Sequence, residues 1–196
     1  MAGPRGEYRK SAERREQILD AAFAVFAKSG YSASSVNEIA KAVGMTQTGV
    51  LHHFSGGKMA LLRAVLERRD ARAEHSLEDL HGRDFLAGLV EISRTQADQR
   101  GVVQLYSILA AEATDPEHPA RPYFAERFHR IADAVTAAFQ EVGADGGLLE
   151  GVSPRAAALS TLAIIEGLGL LWLDDLDVDM AEDSRRHING FLVDPI

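Results

Sequence analysis

The sequence predicts an all-α protein of about nine helices, with a head of three or four helices followed by a larger bundle. Three observations predict it. Apolar residues recur at three- and four-residue spacing from about Glu13 onward. Helix start and stop signals, among them Ser35 with Glu38, Gly30, Gly44 and Ser153-Pro154, fall between those apolar runs. No segment sustains a period-two alternation of β-branched residues, and no repeat of 20–50 residues appears.

Taken in order, residues 1–12 contain Gly3, Pro4 and Gly6 and no apolar period, and are expected to be a flexible arm. Ile18, Leu19, Ala22, Phe23 and Phe26 share one face of a first helix, which Gly30 ends in the C-cap position. Ser35 and Glu38 have the spacing of a capping box and open a second helix, with Val36, Ile39, Ala40 and Val43 inward and Gly44 as its stop. Thr46 is the N-cap of a third helix running to about His52. Ser55 is the expected cap of a fourth, whose Met59, Leu62, Val65 and Leu66 make a stripe. Phe85, Leu86, Leu89, Val90 and Ile92 mark a fifth helix. Val102 to Ala113 form a sixth, closed by Asp115-Pro116. Tyr123, Phe124, Phe128, Ile131, Val135, Phe139 and Val142 define a long seventh that ends before Gly143–Gly147. Ser153 caps an eighth with Pro154 at its first position, continuing through Leu173. A short ninth lies near Met180–Leu192.

With 196 residues, 46% hydrophobic and 26% charged, the chain is long enough and apolar enough to bury a core without covalent staples. The absence of cysteine excludes disulfides, thiolate metal sites and a cysteine nucleophile. The first twenty residues hold no apolar run of the kind a secretory signal needs. The most apolar stretch, Ala156 to Leu173, is interrupted by Ser160, Thr161 and Glu166 and is expected to fall short of the ~20 apolar residues of a membrane span. A soluble, cytoplasmic protein with no membrane partner is therefore expected. The net charge of −8 conceals an asymmetry. Residues 1–70 carry 11 Lys+Arg against 7 Asp+Glu, whereas residues 71–196 carry 10 against 22. A basic head on an acidic body points to a polyanion at the head and another task for the body.

The most informative stretch is Ser34–Leu62, a short capped helix, a turn at Gly44, and a second short helix carrying Gln47, Thr48, His52 and His53. The second helix is too short to stand alone and too polar to be core only. The unit has helix-turn-helix form, in which the second helix enters the DNA major groove; the same form also serves as a plain packing corner.

In this stretch the chain resembles the DNA-binding head of the tetracycline-repressor (TetR) family of bacterial transcription regulators. The matching features are Gly30-Tyr31, a Ser cap, Ile39-Ala40, Gly44, His53-Phe54, and Lys58 followed by Leu61-Leu62, all in order. One departure is Leu51, where the family often has a phosphate-touching Tyr; His52 is the candidate to replace it. Weaker matches in the body, Ala110–Ala113 leading into Asp115–Pro119, then Trp172-Leu173 and Asp177–Met180, look like one branch of the same family.

The resemblance implies a regulator, expected to be a repressor, with residues 1–60 binding DNA and residues 61–196 dimerising and sensing a ligand. Gln47 and Thr48, otherwise ordinary exposed polar residues, become candidates for base contact, since Gln can bond adenine and Thr can touch the thymine methyl. Ser34, Ser35 and Thr46 are helix caps first and phosphate contacts second, while Lys58 is a phosphate candidate rather than merely a solvated lysine. His52 and His53 are sequence neighbours and diverge, which argues against metal and for DNA contact or helix-end packing. Phe54 is read as core. His118, His129 and His187 lack metal-ligand spacing and are expected at the surface or at caps. No metal or cofactor is expected.

In the body, Phe85, Leu89, Leu105, Tyr106, Leu109, Phe128 and Trp172 are core residues by composition and candidate cavity walls by resemblance. Glu166, alone in an apolar helix, is expected to pair with an arginine, face solvent, or select a polar ligand group. The implied partners are double-stranded operator DNA, a mostly apolar small molecule and a second copy of the chain joined through the eighth and ninth helices. Gly167 and Gly169 would allow close approach at that joint. Two other function classes compete with this one. An enzyme would need converging acid, base or nucleophile groups, and no phosphate loop, Ser-His-Asp pattern or metal motif is present. An effector-free, structural or division-linked DNA-binding factor would share the head and differ only in its indifference to small molecules.

Overall fold

The computed structural model describes residues 4–196, and among them forms nine helices and no strand. They are α1 (Pro4–Ser29), α2 (Val36–Ala42), α3 (Gln47–His53), α4 (Gly57–His75), α5 (Gly82–Ala97), α6 (Arg100–Glu112), α7 (Arg121–Ala144), α8 (Pro154–Leu173) and α9 (Met180–Asn189). The only departure from helix-and-turn among them is an isolated antiparallel bridge between Leu148 and Leu192, which closes the α7–α8 loop against the chain end.

Most start signals hold at atomic detail. The Ser35 hydroxyl accepts from the Glu38 amide at 3.2 Å, Thr46 Oγ1 accepts from the Gly49 amide at 3.1 Å, and Asp179 Oδ1 accepts from the Ala181 and Glu182 amides at 3.0 and 2.9 Å. Gly30 and Gly44 both stand at positive φ, +70° and +69°, where a side chain would be strained.

Four expectations are corrected. Helix α1 extends back to Pro4, so residues 4–12 of the expected arm are helical; residues 1–3 lie outside the described residues. The run from Arg9 to Glu16 is rich in strong helix formers, and Arg9 reaches Glu13 one turn on at 3.4 Å, so it propagates the helix without an apolar face. Ser55 does not cap α4. The cap position is Gly56, with no side-chain bond, because Gly57 at φ +68° turns the chain after Phe54. Met59 is 55% exposed although Leu62, Val65 and Leu66 are buried; it stands in the first turn of α4, beyond the reach of the head core. Helix α8, finally, is long and apolar enough by length and composition to cross a membrane, because three scattered polar residues do not offset so many Leu, Ile and Ala.

Two hydrophobic cores organise the chain. The first joins Ile18, Ala22 and Phe26 of α1, Ile39, Val50, Phe54 and Leu61 of the head to Leu105 and Leu109 of α6 and Phe124 of α7. Head and body are thus continuous through α1 and α6. The second joins Leu86 and Val90 of α5, Val135 and Phe139 of α7, Ala157 and Ala158 of α8, and Ile188 of α9. Between the cores lies a cavity.

A candidate nucleic-acid face and a cavity behind it

The head presents its polar candidates on short elements pinned from behind. Val50 and Phe54 anchor α3 in the core, leaving Gln47, Thr48 and His52 exposed along its free side, with Gln47 as the first helical residue after the Thr46 cap. His53 is half-buried, its carbonyl accepts from Arg15 Nη1 at 3.1 Å, and its ring lies 5.8 Å from that of His52 at a steep angle, so the two imidazoles do not converge. Among the described residues, no three His, Asp or Glu side chains gather as a metal site.

Ser34 and Lys58 serve the turn that leads into α2. Ser34 is buried and its hydroxyl donates to the Tyr31 carbonyl at 2.8 Å. Lys58 Nζ donates to the Tyr31 and Ser34 carbonyls at 2.7 and 2.8 Å and stands 4.2 Å from the Tyr31 ring centre. The ammonium therefore ties together two carbonyls of this turn and has one N–H left to offer outward. The other side of the turn is held by the body. Glu112, the last residue of α6, accepts from the Tyr31 and Ser32 amides at 2.7 and 3.0 Å. His118 is buried, contrary to expectation. Its Nδ1 accepts from the Ala120 amide at 3.2 Å, and its ring meets Tyr31 edge-on at 5.3 Å. His129 is exposed and His187 half-buried against Phe191.

The cavity, about 640 Å³, is lined by residues of α4, α5, α6, α7 and α8. Phe85, Leu89, Tyr106 and Glu166, candidates for its wall by resemblance, line it. Leu105 and Leu109 do not, being fully buried in the first core, where α6 turns that face toward α1. Phe128 packs against the same core, and Trp172 lies under the Arg100 guanidinium, 5.3 Å from its ring centre, instead of facing the cavity. The remaining apolar wall comes from Ile92, Val103, Ile131, Val135, Leu162 and Ile165.

One side of the cavity is polar, and its centre is Asp70 of α4, a residue not singled out from sequence. Tyr106 Oη donates to Asp70 Oδ1 at 2.7 Å and Tyr123 Oη donates to Oδ2. Arg130 Nη2 lies 3.3 Å from Asp70 and 2.9 Å from Glu74; Arg127 Nε lies 3.6 Å from Asp70 and its Nη1 3.3 Å from Glu166. Burial, then the Asp70 charge, pushes the Tyr106 phenol well up; burial, then Tyr106, does the same at Tyr123. Burial acts to lower the Arg127 pKa, but Glu166 and Asp70 outweigh it and hold the guanidinium charged. The Glu166 expectation of an arginine partner is met by Arg127. Sequence offered no signal for Asp70, because it stands within the charged run Glu67–Glu74, which reads as a solvated face.

Residues 18–65 match the family model described as "Bacterial regulatory proteins, tetR family". The activator FasR of Mycolicibacterium smegmatis is 28% identical over 198 residues, covering 95% of this chain and 83% of that one. The solved structure of Salmonella enterica GusR is 26% identical, with a TM-score of 0.73 over 92% of this chain and 95% of that chain. Residues 18–65 thus form a tetR-family head, and over nearly its whole length the chain is similar to regulators of that family. It is a DNA-binding transcriptional regulator. SmeT of Stenotrophomonas maltophilia, solved as a complex with triclosan, shares the fold at a TM-score of 0.75 and 21% identity.

Proposed function

We propose that this tetR-family protein is a ligand-released repressor that grips a two-fold symmetric operator as a homodimer in the cytoplasm. Residues 1–60 form the DNA-binding unit and residues 61–196 the sensing and dimerising unit. Gln47 and Thr48 would read base edges; Ser35, Thr46, His52, His53 and the free N–H of Lys58 would meet the backbone, with Ser34 behind them. The observation that carries the reading is the path of α4. It begins at Gly57, directly after the recognition helix ends at His53, and forms cavity wall from Arg69 onward. A molecule in the cavity thus touches the same helix that carries the head, and one that favours a different α4 position shifts the population of head spacings. Heads displaced from the ~34–36 Å half-site spacing lose simultaneous grip.

The dimer surface is supported by α8, whose Leu159, Ile164, Leu170 and Leu171 are exposed in one stripe around Gly167, which has nothing within 4 Å of it. Gly169 serves the inside instead, since a Cβ there would stand 3.0 Å from Val103 of α6. Such a stripe is larger than single scattered apolar residues need explaining and marks an association surface. The relative named as an activator, FasR, favours a second reading of opposite sign on the same DNA-and-ligand machinery. Selecting bound duplexes from random DNA, then transcribing from the recovered site with and without the protein, separates the two. Repression relieved by a cavity ligand supports the proposal; stimulated transcription overturns its sign, and binding indifferent to every cavity ligand overturns its sensing half.

A further inference from the structure

Four carboxylates and three guanidinium groups line the cavity together with His75, so total charge selects no ligand; pairing does. Each of those carboxylates has a basic partner. Asp70 and Glu74 hold Arg130 at 3.3 and 2.9 Å, Glu166 holds Arg127 at 3.3 Å, and Glu78 meets His75 Nδ1 at 2.8 Å. Arg69 of α4 is the cation left over. It makes no hydrogen bond or ion pair among the described residues, and its Nε is sealed from solvent without an acceptor. With Val102 of α6, it lines both the main cavity and a second pocket of about 310 Å³ that reaches Phe23 of α1. Asp20, the carboxylate on that second side, is taken by Arg68 at 2.9 Å. The sealed Nε means that the stem is packed into the wall rather than swung into water, which holds the Nη groups where the two spaces meet. On α8, Thr161 is 1% exposed and lines the same cavity. Its hydroxyl has no partner among the described residues, and the Ala157 carbonyl one turn back accepts from Ser160 instead. A guanidinium and a buried hydroxyl without partners, lining one cavity, are groups that a ligand completes.

We propose that the cavity takes an amphipathic carboxylic acid, with its carboxylate on the Nη groups of Arg69 and its apolar body against Val103, Leu89 and Ile92. An anionic head meets Arg69 without displacing any pair already on the wall. A cationic head has to share a carboxylate with the guanidinium or imidazole that stands there. A singly charged head suits the site, because Asp70, the next residue on α4, lines the same wall and repels further negative charge. This rests on the reading of the cavity as the effector site, and adds to it the ligand's charge and its point of action. Arg69 stands on α4 between Asp70 and Arg68, and Arg68 ties that helix to Glu16 and Asp20 of α1 at 2.9 Å each.

The test uses three probes with one chain and three heads: decanoate, 1-decanol and n-decylamine, each below its solubility and micelle limits at neutral pH. Binding to the full-length protein is measured by calorimetry, and release of a selected operator duplex is measured separately. Decanoate should bind tightest, about tenfold tighter than decanol, the factor that one charge-assisted contact supplies. Arg69→Gln and Arg69→Met each remove the charge and keep much of the stem. In either, decanoate should fall to within about threefold of decanol while decanol binding persists, whereas Arg69→Lys should keep part of the preference. Decanol or decylamine binding as tightly as decanoate in the wild type overturns the proposal whether or not any variant folds. So does a decanoate preference that survives loss of the Arg69 charge, or no binding of any probe. Bound decanoate that leaves operator affinity unchanged would instead sink the effector reading and leave the charge selection standing.

Discussion

Replacing Glu112 by alanine should loosen the head from the body and weaken DNA binding without touching any DNA-facing residue. The carboxylate accepts two backbone amides of the α1–α2 turn, at 2.7 and 3.0 Å, and sits where a Cβ on Gly30 would lie 2.8 Å from its Oε1. Hydrogen bonds to a charged acceptor contribute about 1.5–3 kcal/mol each, but the Ser32 amide is exposed and regains water when the carboxylate goes. The net loss is therefore about 2–3 kcal/mol rather than the sum. For a chain of this size that corresponds to a melting temperature lower by about 4–12 °C. Glu112→Gln keeps one acceptor oxygen and should lose about half as much. His118→Ala should show a smaller junction effect, since its Nε2 lies 3.7 Å from Glu112, too far for a hydrogen bond. Thermal unfolding followed by circular dichroism, paired with operator titration at a temperature where every variant is folded, reads both effects. A Glu112→Ala protein that melts within about 1 °C of the wild type, with operator affinity intact, would refute the claim that this junction positions the head.

Within the head, Gln47→Ala should lower operator affinity by about 1–3 kcal/mol per base contact and leave random-DNA binding almost unchanged, checked by competition titration. Lys58→Ala should weaken both kinds of DNA and flatten the log-affinity against log-salt line by about two units in a two-headed dimer. It should also destabilise the head, since the Ser34 carbonyl loses its side-chain donor and the Tyr31 carbonyl one of its donors; an unchanged salt slope with lowered stability would leave Lys58 a structural role only. Glu placed at Leu170 or Leu171 should shift sedimentation toward monomer and weaken operator binding together, and a dimer that survives both would remove α8 from the interface. Above pH ~10 the unfolded chain releases the Tyr106 and Tyr123 protons while the folded chain keeps them, so stability falls with rising pH by about 1.4 kcal/mol per unit for each phenol. Tyr106→Phe should remove one such contribution from the alkaline slope of denaturant-derived stability, and an identical slope would show that the phenol titrates freely in the fold.

The helical architecture was legible because it rests on local signals. Period, capping box and glycine stops at Gly30 and Gly44 each act within a turn or two of sequence, and Ser35, Thr46 and Ser153 all cap where their spacing places them. The same locality explains the errors. Ser55 has the right chemistry for a cap, but the turn after Phe54 is decided by Gly57 at positive φ, and the cap position moves one residue on. Residues 4–12 lack an apolar face yet continue α1, because propensity and charge pairing extend a helix once tertiary packing of Ile18 to Phe26 has nucleated it.

The cavity was legible only in half. Its apolar wall was a candidate only through the resemblance, and type alone does not distinguish Leu89, which faces the cavity, from Leu105 and Leu109, which face α1. The polar wall was hidden for a different reason. Asp70, Arg127 and Arg130 belong to α4 and α7, elements far apart in sequence, and each stands among other charges that read as ordinary helix surface. Glu166 was visible because it is alone among apolar neighbours. A charge among charges carries no sequence signal; a charge among leucines does.

The two polar clusters together define how the cavity connects to the head. Tyr106 lines the cavity and bonds Asp70 of α4, and six residues on, Glu112 holds the α1–α2 turn. Both contacts therefore lie on one helix, α6, about 9 Å apart along its axis. Their chemistry differs in kind. Glu112 bonds backbone amides beside a glycine that admits no side chain, an arrangement with little freedom to rearrange. Asp70 accepts hydrogen bonds from three side-chain donors of two helices and forms an ion pair with a fourth group, Arg127, which is shared with Glu166 across the cavity wall. A ligand in the proposed effector cavity would act where donors can be exchanged, which is at Asp70 and not at Glu112. On the proposed reading, with the head packed on α6 through α1 and tied there by Glu112, and with α4 free to re-seat at Asp70, movement of α4 would become rotation of the head about the α6 contact rather than a shift of the whole unit. Rotation is what the proposed two-headed dimer would be most sensitive to, because turning each recognition helix would change both its angle in the groove and its distance from its twin.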